Sequence, residues 1–285
     1  MENYKVRDVL KLINARSPFS AAMEWDNVGL LVGDAEGGVS RIHLALDATD
    51  EVIDRAAEVG ADLLVTHHPL IFSGLKRITA DDFTGRRIMK LIRRGIACVA
   101  MHTNYDVFGM AEVVAGRMGL LETEVLEGVA TPELPEISVE GVGGATFCSA
   151  GSGDLREEGI GRVGRLSRSE RLAEYAGTVR KLFGLSHVRY FGNPETLVEK
   201  VAVCPGSGKS EIGLAIAGGA DVLVTGDIDH HSGLDAVAQG LSIIDAGHYG
   251  LEHVFMQDVR DYLSGQLGDS VAITCEAFAE PVRLA

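Results

Sequence analysis

An internal repeat constrains the fold of this 285-residue chain more than any other feature of its sequence. Residues 60–66 (GADLLVT) match residues 219–225 (GADVLVT) at a constant offset of 159, and the offset extends back to Ile42 and Val201. Two copies at this spacing predict two related α/β halves rather than a long solenoid. Chance similarity between two strand sequences is the alternative.

The repeat continues further along the chain with a difference of one residue in spacing. Gly95 and Gly240 each precede a short apolar run that ends near a histidine, His102 in the first copy and His248 in the second. Each histidine is followed four residues later by a carboxylate. We therefore expect both copies to place related side chains at the end of a strand.

Short apolar or β-branched runs alternate with segments of helical length, which is typical of an α/β fold. The runs are residues 42–46, 63–66, 97–101, 201–204, 222–225 and 243–246. Strands that are buried on both faces need not alternate polar and apolar residues, so these runs predict parallel or mixed sheets covered by helices. The expected fold is α/β, with two related, intertwined halves and mixed sheets.

This organisation divides the chain into three segments. They are residues 1–124 as the first half, 125–192 as a middle segment, and 193–285 as the second half, which completes the functional site. The start of the middle segment is rich in glycine and proline, which predicts turns at residues 131–135, 141–144, 151–154 and 159–162. Helical spacing over 172–183 and a strand over 187–191 then indicate a folded segment rather than a linker.

Charge and composition exclude several classes of function. The chain carries 26 basic and 41 acidic residues, and its net charge of −15 repels phosphate backbones but attracts cations. Its four cysteines form no CxxC pair, which favours a reducing compartment over a disulfide framework. The first 16 residues have helical spacing rather than a signal-peptide pattern, and no apolar run reaches the roughly 18 residues of a membrane span. We expect a soluble cytoplasmic protein that binds neither membranes nor nucleic acid.

Two adjacent histidines mark the end of a predicted strand. His67 and His68 come directly after residues 63–66. Adjacent side chains at a strand exit point in different directions, so each imidazole suits a different metal ion. A pair of exposed turn histidines is the alternative.

The other two strand exits carry a histidine and a carboxylate at helical spacing. His102 with Asp106, and His248 with Glu252, would each share one face of an opening helix. Imidazoles with a few carboxylates suit Zn, Mn, Fe or Co better than Ca or Mg alone. Because ligands bind at the carboxyl ends of strands in open α/β sheets, we predict a centre for two divalent ions at the junction of the halves. A surface histidine beside a solvated acid is the alternative for either pair alone.

Residues 227–231 (DIDHH) follow the second copy's strand where His67 and His68 follow the first. They would position a metal-bound water, contact substrate, or orient a ligand. A helix cap is an equally good interpretation of Asp227 or Asp229.

Two glycine-containing motifs have no predicted chemistry. Residues 204–210 (CPGSGKS) resemble a phosphate loop, but Val203 stands where the first glycine is required, so we predict a turn. Residues 25–33 (WDNVGLLVG) are interpreted as a packing and turn element, with Asp26 and Asn27 as caps.

Taken together, six motifs spread over nearly the whole chain resemble the Nif-three-like dinuclear-metal family, whose members are called GTP cyclohydrolase I type 2 homologs. The motifs are residues 25–29 (WDNVG), 65–72 (VTHHPLIF), 101–106 (MHTNYD), 161–164 (GRVG), 225–231 (TGDIDHH) and 245–252 (DAGHYGLE). The resemblance implies that the ligands of the two ions are His67, His68, Asp106, His248 and Glu252. It also implies that Glu252 bridges the ions and that His102 is a further ligand or supports one. A ring-like homohexamer with its metal sites facing an internal cavity is implied as well.

Two functions are compatible with these residues. In the first, the protein is a metal-dependent hydrolase in which two ions generate a hydroxide that attacks C8 of a purine nucleotide or a related small molecule. His102 or His230 would then move protons, and Arg162 and Arg165 would bind phosphate. In the second, the protein is a metal-holding or nucleotide-sensing scaffold that turns nothing over.

Overall fold

The computed structural model describes residues 4–129 and 158–283, which fold into alternating strands and helices. The helices are α1 (Val6–Arg16), α2 (Asp50–Glu58), α3 (Phe83–Arg94), α4 (Thr103–Tyr105), α5 (Ala111–Met118), α6 (Leu172–Leu182), α7 (Ile212–Ala217), α8 (His230–Ala238), α9 (His248–Glu252) and α10 (Val254–Leu267). A π-helical turn (Asp106–Met110) joins α4 to α5, and short 3-10 turns occupy Phe19–Ala21 and Gly268–Ser270. Across the two described stretches, no helix combines the length and the apolar composition that a membrane crossing requires.

The strands form two large mixed sheets and one small antiparallel pair. They are β1 (Tyr4–Lys5), β2 (Gly29–Val32), β3 (Gly38–Val39), β4 (Arg41–Ala45), β5 (Leu63–Thr66), β6 (Ala97–Ala100), β7 (Leu121–Gly128), β8 (Gly159–Arg171), β9 (Arg189–Phe191), β10 (Leu197–Ser207), β11 (Val222–Gly226), β12 (Ser242–Asp245) and β13 (Ala272–Cys275). The first sheet has the order β13-β4-β5-β6-β2 and the second β7-β8-β10-β11-β12-β9. Parallel pairing in the centre and antiparallel pairing of β2 and β9 confirm the predicted mixed sheets.

The sequence repeat is a structural repeat, down to the register of the central strands. Ile42 lies opposite Leu63 in the first sheet, and Val201 lies opposite Val222 in the second, so both pairs preserve the offset of 159. An aspartate that is repeated in both copies, Asp62 and Asp221, also makes equivalent hydrogen bonds in each. The Asp62 carboxylate accepts hydrogen bonds from the backbone N–H groups of Ser40 and Arg41 at the start of β4, and Asp221 accepts them from Glu199 and Lys200 in the first part of β10. The two sheets therefore anchor the amino ends of these neighbouring strands in equivalent ways.

Helices cover both faces of each sheet, as continuous apolar strands require. Alternate residues of the central strands, such as Leu63 and Val222, face a shared core formed with α1, α5, α6 and α10. The opposite faces are covered separately, by α2 and α3 on the first sheet and by α7 and α8 on the second. One core thus joins the two sheets and fixes the ends of their strands relative to each other.

The two sheets exchange strands across the predicted halves. The last strand, β13, pairs with β4 in the first sheet, with Ala272 opposite Arg41. In the second sheet, β7 spans the predicted boundary at residue 124 and pairs with β8. These exchanges make the halves intertwined, and the division at residues 124 and 192 stays a prediction.

One part of the predicted turn-rich segment is a strand. The turn predicted at residues 159–162 is wrong because these residues begin the thirteen-residue strand β8. A Cβ atom on Gly159 would collide with the Glu127 carbonyl oxygen, so the glycine permits close approach of β7 rather than a turn. The turns predicted at 131–135, 141–144 and 151–154 lie outside the described residues.

Candidate metal centre

Both adjacent histidines directly follow β5 and lie at the junction of the two sheets. The His67 and His68 backbone N–H groups donate to the carbonyls of Ala45 and Leu46 and thereby continue the pairing with β4 for two residues. Because adjacent side chains leave an extended backbone in different directions, the two rings diverge, with centroids 4.9 Å apart and planes at 48°. His67 is completely buried, whereas His68 is partly exposed.

His67 belongs to one group of possible ligands with two carboxylates. Its Nε2 atom lies 3.4 Å from Asp106 Oδ1 and 3.6 Å from Glu252 Oε1. Asp106 stands at the first position of the π-helical turn that follows α4, and such turns recur at functional sites. These three side chains form a pocket of one nitrogen and two oxygens around a common point.

His68 belongs to a second group, which shares Glu252 with the first. The Nε2 atoms of His68 and His248 lie 3.1 Å apart, and each lies 3.1 Å from Glu252 Oε2. His248 and Glu252 occupy the first and last positions of α9, one turn apart. The two oxygens of a single carboxylate therefore face two different groups of possible ligands.

These separations can be compared with those of a tetrahedral metal site. Ligand atoms at 2.0–2.1 Å from a tetrahedral ion lie about 3.3–3.4 Å from one another. The separations of His67 Nε2 from its two carboxylates and all three separations in the second group, 3.1–3.6 Å, are close to that value. A third group, His67, His68 and His102, adds a further nitrogen next to the first two groups.

Two buried polar atoms in the cluster lack a well-aligned hydrogen bond, which is the strongest sign that a ligand belongs there. Within the described residues, His67 Nε2 has no hydrogen-bond partner, and Glu252 Oε2 lies 3.1 Å from two imidazole nitrogens without a well-aligned hydrogen bond to either. Burial of an unpaired polar atom costs about 1–3 kcal/mol, so a stable protein seldom tolerates two at one point. Bound divalent ions would satisfy both atoms, and the mixture of imidazoles and carboxylates is one that transition ions accept.

Each histidine of the cluster is fixed through its other ring nitrogen. The Nδ1–H group of His67 donates to the Met101 carbonyl (2.6 Å), and the remaining three donate to carboxylates. These pairs are His68 with Asp47 (2.9 Å), His102 with Asp26 (2.9 Å) and His248 with Asp227 (2.8 Å). Since these acceptors hold a proton on Nδ1, an ion would bind at Nε2, which is the arrangement typical of metal-binding histidines.

The three supporting acids are only partly marked by the sequence. No motif singles out Asp47, the spacing around Asp26 favours a cap, and Asp227 is compatible with a cap or with a role in the site. Asp227 adopts a left-handed backbone with φ of 58°, which is rare outside glycine and recurs at functional sites. The neighbouring Asp229 instead caps α8 by accepting from the Ser232 N–H.

Charges in the cluster shift the pKa values of its members strongly. Burial lowers the pKa of His68, but its contacts with Asp47 and Glu252 outweigh that effect and raise the pKa to about 10. Contacts with Glu252 and Asp227 similarly outweigh burial and raise the pKa of His248 to about 9. Burial raises the pKa of Glu252, yet the surrounding imidazoles lower it well below its usual value. An ion that binds to His68 and His248 would therefore compete with protons for their ring nitrogens.

Gly206, in the segment 204–210 that the sequence predicts as a turn, leaves the space that the Glu252 carboxylate occupies. Gly206 has a φ of 77°, and a Cβ atom built on it would lie 2.5 Å from Glu252 Oε1. Gly206 lies near the end of β10, which continues through Ser207 with a register shift after Val203. The segment 204–210 is thus largely the bulged end of a strand rather than the predicted turn, and Gly206 positions Glu252.

Other candidate residues are placed differently. His102 belongs only to the third group, with its ring centroid 5.3 Å from that of His67. His230 is exposed in the first turn of α8, where its ring contacts that of His231, and it joins none of the three groups found within the described residues. Its part in proton transfer stays a prediction. Arg162 is buried and donates to the carbonyls of Gly159 and Gly161, so it is already engaged, whereas Arg165 is exposed.

Removing a supporting acid should weaken metal binding without removing a ligand. In Asp47→Ala, His68 loses the acceptor that fixes its ring, and we expect Zn²⁺ affinity to fall by about 10- to 100-fold. Asp54→Ala is a matched control because both carboxylates are 51 % exposed, but Asp54 pairs with Lys90 on α3. Competition with a chromogenic chelator measures both affinities, and equal values for the two variants would contradict this role for Asp47.

Zn²⁺ affinity should rise with pH. The raised pKa values of His68 and His248, about 10 and about 9, favour protonated imidazole at neutral pH when no ion is bound. An ion binds only neutral imidazole. For each proton that the ion displaces, Zn²⁺ affinity should therefore rise by at most about tenfold for each unit by which the pH increases below pH 9. Calorimetric titration in buffers of different ionisation enthalpy measures the released protons. Affinity that is independent of pH between about 6 and 8 would contradict the prediction.

Comparison with known protein families identifies relatives over almost the whole chain. The model of the family Duf34/NIF3 (NGG1p interacting factor 3) matches residues 4–281. A GTP cyclohydrolase 1 type 2 homolog from Clostridium perfringens (strain 13 / Type A) is 33 % identical over 270 residues, which cover 94 % of each chain. A homolog of the same name from Halalkalibacterium halodurans is 31 % identical and covers 92 % of each chain.

Solved structures have the same fold. A Bacillus cereus protein related to NIF3 superposes with a TM-score of 0.87, at 28 % identity and with full coverage of both chains. The protein HcgD from Methanocaldococcus jannaschii, solved in its reduced form, superposes with a TM-score of 0.77 at 26 % identity, covering 98 % of this chain and 100 % of HcgD. With its repeat, mixed sheets and histidine-rich cluster, this chain belongs to the Duf34/NIF3 family.

Proposed function

We propose that this protein is a hydrolase dependent on two divalent metal ions and acts on a purine nucleotide or a related small molecule. The observation that carries the proposal is the position of Glu252, whose two oxygens face separate groups of ligands. The name shared by the relatives supports a reaction of the GTP cyclohydrolase type.

The residues that would hold the ions fall into two sets. His67, Asp106 and Glu252 would hold one ion, and His68, His248 and Glu252 the other. Divalent ions at these positions would supply Lewis acidity, which activates water and polarises the bond to be broken. The donor atoms suit Zn, Mn, Fe or Co.

His102 is the residue best placed to move a proton near the ions. Although burial raises the pKa of Asp26, its contacts with His102 and Thr103 lower that pKa to about 2, so the carboxylate stays ionised. Asp26 thereby holds the proton of His102 on Nδ1, and Nε2 is left to accept one from a reacting group. If His102 binds an ion instead, the same contact orients it as a ligand.

Assembly is proposed on the family resemblance, and location on the cysteine usage and the N-terminal pattern of the sequence. A homohexamer would have six times the 30.3 kDa mass of one chain, which light scattering after size-exclusion chromatography would measure. A single mass equal to one chain would overturn the hexamer. We place the protein in the cytoplasm, and fluorescence microscopy of a tagged chain would test this.

The activity is tested with purified protein that has been stripped of metal and reloaded with Zn, Mn, Fe or Co. We expect hydrolysis of GTP or a related purine nucleotide. The loss of purine absorbance and chromatography of the products measure the reaction. Phosphoesters and amides serve as comparison substrates, and Asp54→Ala serves as a variant that keeps the cluster intact. If no substrate is hydrolysed above the rate of free metal, the hydrolase proposal fails and the scaffold function replaces it.

A further inference from the structure

We propose that Trp25 and Phe72 form the wall of a subsite that binds a planar heteroaromatic ring beside the metal centre. This proposal extends the proposed function and rests on it, because the identity of the reaction comes from there. It assigns a role to residues 25–29, the early motif that had no predicted chemistry. The ligand it implies is a small molecule with a flat ring, such as a purine nucleoside.

The two aromatic rings meet at the edge of the cluster. Their centroids lie 5.8 Å apart, and the centroid of His102 lies 6.1 Å from that of Trp25 and 6.5 Å from that of Phe72. His102 is in turn within 5.6 Å of His68 by ring centroids. A ring bound against Trp25 and Phe72 would therefore lie next to the possible metal ligands.

The residues next to Trp25 fix this arrangement. Asp26 accepts hydrogen bonds from His102 Nδ1 and the Thr103 N–H, which ties the loop to the exit of β6. Asn27 Nδ2 donates to the Ile71 carbonyl at 2.5 Å, which ties the same loop to the residue before Phe72. Consecutive residues thus hold a cluster histidine and place the two aromatic side chains together.

Both rings are exposed, which folding alone does not require. Trp25 is 60 % exposed and Phe72 is 53 % exposed, although aromatic side chains contribute most when they are buried. Leu75 and Phe83 are also exposed and line the same cavity as Phe72. A contiguous apolar surface of this kind marks a binding site rather than a scattered exposed residue.

The cavity beside Phe72 has the size of a small-molecule site and reaches the cluster. Its volume is about 410 Å³, within the range of 300–1,000 Å³ that is usual for ligand pockets. His68 and Asp47 line it at the side of the cluster together with Phe72. Trp25 lies outside the lining and joins it through its ring contact with Phe72. A nucleoside is a ligand of this size class.

The test uses Trp25, the only tryptophan of the chain, as a reporter. The Zn²⁺-loaded protein is titrated with guanosine and, separately, with ribose 5-phosphate, which lacks a base. We expect guanosine to quench the Trp25 emission in a saturable manner and ribose 5-phosphate to leave it unchanged. Equal quenching by both, or none by guanosine, would overturn the proposal.

A pair of matched variants separates stacking from a general effect. Phe72→Leu should weaken guanosine binding about tenfold, because stacking on an aromatic ring is worth about that much per base. Phe278→Leu is the control, since Phe278 is an exposed aromatic residue whose ring lies 4.7 Å from a different histidine, His253. Equal affinity of both variants for guanosine would overturn the role of Phe72.

The same samples distinguish this proposal from the proposed function. Saturable quenching without turnover would contradict the hydrolase proposal and support the ring subsite. Turnover with an unchanged KM in Phe72→Leu would contradict the subsite and support the hydrolase proposal. Emission that depends on protein concentration but not on guanosine would mean that a second copy of the chain covers Trp25, and this too would overturn the subsite.

Discussion

Glu252→Gln should lose both metal ions, with affinity at each site lower by about 100-fold or more. The change keeps the shape of the side chain but removes the negative charge that faces both groups of ligands. An amide also offers donors where ligand oxygens are needed. Elemental analysis after dialysis measures the loss, and turnover should disappear with the metal.

The control for this variant is Glu211→Gln. Glu211 is a buried carboxylate of similar exposure, but its side chain contacts Ser210 and it belongs to none of the ligand groups found in the described residues. Thermal unfolding of both variants checks that each is folded, because removing one partner of a buried ion pair costs about 3–5 kcal/mol. Metal content equal to wild type in Glu252→Gln would remove Glu252 from the site.

Gly206→Ala should also abolish tight metal binding, although Gly206 contributes no ligand. The new methyl group would lie 2.5 Å from Glu252 Oε1, and the carboxylate must move to make room. We expect Zn²⁺ affinity to fall by about 100-fold. A further loss of about 1–2 kcal/mol in the free energy of unfolding comes from the left-handed backbone, with φ of 77°.

Gly219→Ala separates the backbone effect from the collision. Gly219 has a φ of 66°, close to that of Gly206, but no atom lies within 4 Å of the position that its Cβ would occupy. Both variants should lose similar stability, as measured by denaturant unfolding, and only Gly206→Ala should lose metal. Equal Zn²⁺ affinity in the two variants would show that Gly206 does not position Glu252.

The repeat made the central fold predictable because it preserves the contacts that set strand register. Asp62 and Asp221 are identical in both copies and anchor the strand beside them in the same way. The predicted strand over residues 63–66 agrees with β5, and the one over 222–225 lies within β11. By contrast, β13 has four residues and pairs with a strand some 230 positions earlier, so no local pattern identifies it.

The members of the cluster were predictable because strand exits bring them together. His67, His68, His248 and Glu252 follow or flank strands whose carboxyl ends meet, and the sequence marks each of these ends. Their role as metal ligands stays a proposal. The supporting acids were not predictable in the same way, since Asp26 lies 76 positions from His102 and Asp47 lies 21 from His68, with no periodicity to connect them.

The glycines illustrate a different limit. Sequence spacing indicates that Gly206 lies in an irregular segment, but it does not show that a carboxylate from α9 occupies the space beside it. Gly159 was interpreted as a turn residue for the same reason, although it permits the close approach of β7. In both cases the determining contact comes from another part of the chain.

An anomalous difference map from crystals of the zinc-loaded protein would test the dinuclear centre most directly. The account predicts two peaks per chain, one in contact with His67, Asp106 and Glu252, and the other with His68, His248 and Glu252. A map without a peak among these side chains, or with a single peak that Glu252 does not contact, would contradict it.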